Sequence, residues 1–149
     1  MKNTQKLFTG LFLVVLTGSL VSCEEVSKPE IGNFELGYEG SGTAVVGEEL
    51  HMDAEIVAEG TIDRIRVEIH PESEHAMKSL AELSDGEGWE FDSTYTKFSG
   101  LKNTTFHEHI EIPDHAEAGH YHFHFEVTDM EGYQSVYEDE LELMAPAAR

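Results

Sequence analysis

Apolar and polar residues alternate along most of the chain from position 31 onward. Leu50, Met52, Ala54 and Ile56 alternate with His51, Asp53 and Glu55, and Ile65, Val67 and Ile69 with Arg64, Arg66, Glu68 and His70. Phe106, Ile110 and Ile112 are interleaved with His107, His109 and Glu111. The longest run sets Tyr121, Phe123, Phe125 and Val127 against His120, His122, His124 and Glu126, and a last one sets Leu141 and Leu143 against Glu140 and Glu142. Successive side chains of a strand point to opposite faces, so a period of two marks strands with one buried and one wet face. Turn residues separate the runs at Glu59-Gly60, Pro113-Asp114 and Asp129-Met130-Glu131-Gly132. The pattern predicts an all-β antiparallel sandwich of about seven strands: A near 31–38, B near 49–58, C near 62–70, D near 91–98, E near 104–112, F near 119–128 and G near 134–143. Only residues 72–83 carry a helical pattern, with Met77, Leu80, Ala81 and Leu83 on one face. This short helix would lie in a long C–D excursion that also holds Trp89.

The first residues follow a different rule. Lys2 and Lys6 precede an apolar run, Leu7–Leu16, too short to span a bilayer as a stable helix. Small residues and then Leu20-Val21-Ser22-Cys23 complete the outline of a secretory signal. Leu-Val-Ser-Cys resembles the lipobox of bacterial lipoproteins, which implies cleavage before Cys23 and lipid on that cysteine. The expected organisation is a signal peptide at 1–22, a lipidated tether at 23–30 and one domain at 31–144. The membrane is then a partner through Cys23, and the expected location is the cell envelope, as an outer-membrane lipoprotein facing the periplasm or the outside. Glu24 and Glu25 resemble the acidic signal that sends some such proteins to the cell surface. Cys23 is the only cysteine, so the exported domain holds together without an internal disulfide.

Charge narrows the partners. Removing residues 1–22 takes two lysines and no acids, leaving seven basic against thirty acidic residues and a formal charge of −23. Such a surface repels nucleic acid and concentrates cations. Nucleic acid is excluded as a partner.

The segment Ala118–Gly132, with its Gly119-His120-Tyr121 start and Asp129-Met130-Glu131-Gly132 turn, resembles the F strand and F–G turn of bacterial immunoglobulin-like domains. Tyr121 would take the corner position that such domains give a tyrosine. Further short motifs are Ile69-His70 closing strand C, a later His75, His109-Ile110-Glu111-Ile112-Pro113 and Gly119-His120-Tyr121-His122. With the lipobox, they resemble a family of bacterial lipoproteins known only as a domain of unknown function (forty-six twenty-five). The resemblance implies an immunoglobulin-like fold and no activity.

Nine histidines, all after position 50, are the remaining chemistry, and none on a strand falls in the apolar register. In a sandwich, C and F run antiparallel side by side, which brings His70 close to His120 and His122 on the outer face of that sheet. His75 and His115 belong to connections at the same end. B and E are antiparallel neighbours in the other sheet, so His51 and His109 share its outer face, with His107 and Asp53 further along. Positions i and i+2 lie about 6.5–7 Å apart and cross-strand neighbours closer. Imidazole nitrogens bind a metal at about 2.0–2.1 Å, so such pairs chelate one ion without distortion. The expected metal set is His70, His75, His109, His120, His122 and His124, with a second cluster of His51, His107 and Asp53. Imidazole with carboxylate suits Zn²⁺ or Cu²⁺.

Other chemistries find less support. No Gly-x-Ser-x-Gly elbow, phosphate loop or second cysteine is present, and no general base is marked, so an enzyme is not expected. Asp129-x-Glu131-Gly132 lacks the ligand series of a calcium loop and reads as a turn. The alternative to metal binding is a surface adhesion or assembly module for protein or glycan, for which Trp89, Tyr95 and Tyr133 are the candidate exposed aromatics.

Overall fold

In the computed structural model, which describes residues 27–72 and 88–147, each alternating run forms a strand with its apolar members inward. β1 (Glu30–Leu36), β3 (Glu49–Val57) and β6 (Asn103–Glu111) form one sheet in the order β1-β3-β6. β2 (Thr43–Val45), β4 (Ile62–Pro71), β5 (Phe91–Tyr95), β7 (Gly119–Asp129) and β8 (Gln134–Met144) form the other, in the order β2-β8-β7-β4-β5. The two sheets make a β-sandwich, and the predicted strands A to G correspond to β1 and β3 to β8.

Three departures from the expected layout are informative. β2 is an additional strand of three residues, too short for any periodicity to reveal. It also lies parallel to β8, with Ala44 opposite Leu143, so the sandwich is not antiparallel throughout. β5 pairs with β4 at the edge of the larger sheet and ends at Tyr95, three residues early. The chain turns there, Ser99 N–H donating to the Thr96 carbonyl. The edge is pinned by Arg66, whose guanidinium forks onto Asp92 at 2.9 and 2.7 Å and holds that carboxyl below its usual range. The helix expected at 72–83 lies, after Glu72, outside the described residues.

The core is the sum of the inward registers. Leu50, Met52, Ala54 and Ile56 of β3 face Ile65, Val67 and Ile69 of β4 and Phe123, Phe125 and Val127 of β7, all with essentially no exposed surface. Each large apolar side chain so buried contributes about 1.5–3 kcal/mol before entropy is counted. Phe106 joins the layers, its ring edge-on to Phe125 of the opposite sheet at 4.9 Å. Trp89 is buried against Phe91 and Tyr121, which removes it from the candidate exposed aromatics. The Tyr121 hydroxyl donates to the Glu117 carbonyl at 2.7 Å, the hydrogen bond of a tyrosine corner, and burial pushes its pKa up.

Register fixes what each outer face carries. A shift of one residue would exchange faces, so the apolar run that fills the core also forces every intervening histidine outward. The sandwich therefore has two histidine-bearing surfaces, one on each sheet.

Candidate metal centre

On the smaller sheet, His51 stands directly opposite His109 and Asp53 directly opposite His107. The His51 ring centroid lies 5.1 Å from that of His107 and 5.1 Å from that of His109, which are 5.3 Å from each other. Imidazoles bound to one tetrahedral ion at about 2.0–2.1 Å place their ring centroids about 5 Å apart. One ligand nitrogen from each of the three lies within 4.8 Å of the other two, the one such group of three or more among the described residues. Tetrahedral coordination requires a separation of about 3.3 Å, so the rings would have to close on an ion as it binds.

The surroundings orient the rings. Asp53 Oδ2 lies 2.9 Å from His107 Nδ1, which donates to it and leaves Nε2 as the nitrogen that could face an ion. Glu49 Oε2 is 3.5 Å from His109 Nδ1, a like arrangement at ion-pair distance. A carboxylate behind a ligating imidazole fixes its tautomer and raises its basicity. His51 faces the other two from β3, and its Nδ1 is buried with no hydrogen-bond partner. A buried polar atom without a partner costs free energy, and a metal ion in contact with it would remove that cost. Three imidazoles, two of them with carboxylates behind them, are a donor set that fits Zn²⁺ or Cu²⁺.

Tyr38 covers one side, its ring stacked on His51 at 5.2 Å and 8°. It belongs to a short 3-10 turn, Tyr38–Gly40, tied to the site by Gly37 N–H donating to the His51 carbonyl. Gly37 has φ +74°, and a Cβ there would come within 2.6 Å of the Thr43 carbonyl oxygen, so only glycine permits this turn. Neither Tyr38 nor Glu49 is marked in the sequence. Glu49 could have been found as the diagonal neighbour of His109 in the β3–β6 register; Tyr38, the last residue of predicted strand A, falls outside β1, which stops at Leu36, and leaves no signal of its place over His51.

The larger sheet carries the other histidines. His70 and His122 are directly opposite partners on β4 and β7, with centroids 5.3 Å apart, and His124 lies 5.4 Å from His70. The His70 and His124 rings are stacked at 14°, side by side, and His122 and His124 stand 6.4 Å apart. His70 Nδ1 is 3.3 Å from the Pro71 carbonyl and His124 Nδ1 3.2 Å from Glu138. His120 is exposed opposite Glu142. His109, grouped by the sequence with these residues, is on the other sheet beside His51 and His107. His75 and Cys23 lie outside the described residues.

The family description that matches the chain covers residues 19–144 and reads domain of unknown function (DUF4625). The chain belongs to this family. No curated protein matches the sequence. Among solved structures, the fold is similar to that of wild-type OgpA from Akkermansia muciniphila, with a TM-score of 0.53 and 10% identity. The likeness covers 80% of this chain and 29% of the OgpA chain, and at that identity it speaks for the fold alone.

Proposed function

We propose that this DUF4625 protein is a lipid-anchored protein of the cell envelope that binds a transition-metal ion, Zn²⁺ or Cu²⁺, through His51, His107 and His109. The convergence of three imidazoles, one with an unpartnered buried nitrogen, is the observation that carries the reading. Asp53 and Glu49 orient His107 and His109, and the fourth coordination position is left to solvent. The surplus of acid residues raises the local concentration of cations around the domain. Lipid on Cys23 is supported by the lipobox pattern Leu20-Val21-Ser22-Cys23.

Isothermal titration of the domain with Zn²⁺ and with Cu²⁺ tests the metal. Micromolar or tighter binding that His51→Ala weakens by roughly tenfold or more, about 1.4 kcal/mol per factor of ten, is expected. Millimolar affinity indifferent to that substitution would overturn it.

A further inference from the structure

We infer that the end of the sandwich from which the N-terminal tether leaves docks on the lipid surface that holds Cys23. The inference rests on the proposed lipidation and goes beyond it, because an anchor alone does not decide which surface of a domain meets the membrane.

The tether is short and leaves from a defined place. Glu30 pairs with Val57, so the residues before it run out beyond the β3–β4 end of the sandwich. Pro29 is buried there and its carbonyl accepts a hydrogen bond from the Ser135 hydroxyl, which fixes the exit point. Six Cα–Cα steps separate Cys23 from Pro29, about 20 Å at full extension. The eleven residues of β7 alone span about 35 Å. The exit end is thus held within about 20 Å of the lipid, less than the length of the domain.

That end also exposes more large apolar side chains than the opposite one, where Tyr38 and Met144 are the two exposed among the described residues. Val57, Leu101 and Met130 project from the exit end with 44%, 43% and 56% of their surface exposed. They are contiguous: Ala58 N–H donates to the Lys102 carbonyl, Ile62 N–H to that of Leu101, and Met130 N–H to that of Thr61. Apolar side chains exposed singly mean little, but three on adjoining turns at the tether exit form one tip. Lys28, Arg64 and Lys102 stand around it beside Glu30, Glu59, Asp63, Asp129 and Glu131, with Arg64 ion-paired to Asp63, so this end carries a smaller surplus of acid than the other. At the far end, Glu48, Glu49, Glu111, Asp114, Glu140 and Glu142 meet no lysine or arginine among the described residues. Apolar tips ringed by long basic side chains suit the headgroup boundary, whereas the far end would be repelled by anionic headgroups. Docked in this way, the domain holds His51 and His109 about 20 Å from the lipid, on the half that faces away.

The full-length lipoprotein, reconstituted in vesicles of phosphatidylethanolamine with a minority of phosphatidylglycerol, tests the orientation. Once Cys23 carries lipid, a thiol introduced by Leu101→Cys, Met130→Cys or Glu142→Cys is the single site for an environment-sensitive nitrobenzoxadiazole label. Quenching by nitroxide-labelled phospholipid is expected to be severalfold stronger at 101 and 130 than at 142. Equal quenching at the three positions, with the lipid on Cys23 seen by mass spectrometry, overturns the docking and leaves the anchor standing. A protein whose Cys23 carries no lipid overturns both. Shielded labels at 101 and 130 without lipid quenching, together with a disulfide-linked dimer of the Met130→Cys protein, identify a second copy as the occupant and overturn the docking as well.

Discussion

His51 and His109 face each other across the β3–β6 ladder with their rings 5.1 Å apart, and His107 completes the group from two residues along β6. The β4–β7 histidines come nearly as close, yet two of their three rings lie parallel. Metal affinity is therefore expected to follow one sheet. His51→Ala and His109→Ala should each weaken Zn²⁺ binding by tenfold or more. His70→Ala and His122→Ala should change it by less than about threefold, a difference of about 0.7 kcal/mol. Calorimetric titration of the four variants checks this, and a ranking in the reverse order would move the site to the larger sheet.

Asp53 acts through His107 and would not touch the ion itself. Loss of a carboxylate behind a ligating imidazole costs about 10–100-fold in metal affinity. Asp53→Asn should produce a loss in that range with the apo-domain melting temperature nearly unchanged, since the pair lies on the surface. A variant that lost thermal stability and kept its affinity would show that Asp53 merely supports the sheet.

Saturating Zn²⁺ should stabilise the domain. An ion at a hundred times its Kd adds about 2.7 kcal/mol if it binds the folded state alone. For a domain of this size that raises Tm by roughly 10 °C or more. Imidazole must be neutral to bind, so the gain should vanish on acidification. Thermal melts with zinc and with chelator, run at neutral pH and at pH about 5, check both halves of this expectation.

The strands were legible because the apolar register is nearly unbroken from Leu50 to Ile56 and from Tyr121 to Val127, and the histidine faces followed from it by exclusion. Cross-strand pairing of His51 with His109, and of His70 with His122, follows from sandwich topology once those strands are placed. Ring orientation does not follow, because it is set by partners such as Pro71, Glu138 and Asp53 that pairing alone leaves undecided. For that reason the sequence puts more weight on the numerous histidines of β4 and β7 than on the trio whose nitrogens converge. β2 escaped notice because three residues carry no period, and Tyr38 because a left-handed turn at Gly37, not a pattern, brings it over His51.

Tyr137 gives the fold a signature at alkaline pH. Its hydroxyl donates to Asp139 at 2.6 Å, and that hydrogen bond, with burial behind it, pushes the phenol pKa up to about 12 from an ordinary 10.0. Below pH 10 both folded and unfolded chains keep the proton, and the interaction contributes in full. Between about 10 and 12 the unfolded chain loses the proton and the folded one holds it less and less, so this contribution declines across that window. Spectrophotometric titration should show a late phenolate component that Tyr137→Phe removes and Asp139→Asn moves to lower pH. An unchanged titration in Tyr137→Phe would refute the assignment.

The β7–β8 turn offers the sharpest stability test away from the metal. Asp129 is 98% buried, with Oδ1 accepting from the Glu131 and Tyr133 amides at 2.9 and 2.8 Å. Asp129→Ala removes the acceptor of two amide hydrogen bonds in a part-buried turn, each contributing about 0.5–1.5 kcal/mol net. Asp129→Asn keeps an acceptor for them and should cost less. Gly60 closes the other side: a Cβ there would lie 2.8 Å from Asp129 Oδ2, so Gly60→Ala must displace the carboxylate from its place over the turn. Urea denaturation should therefore rank the midpoints with wild type highest, Asp129→Asn next and Asp129→Ala lowest, with Gly60→Ala also below wild type. Metal affinity should stay the same in all of them, because β3 and β6 carry the trio at the other end of the sandwich. A Gly60→Ala protein as stable as wild type would mean that the carboxylate is free to move, and that its two amide bonds are not what holds the turn.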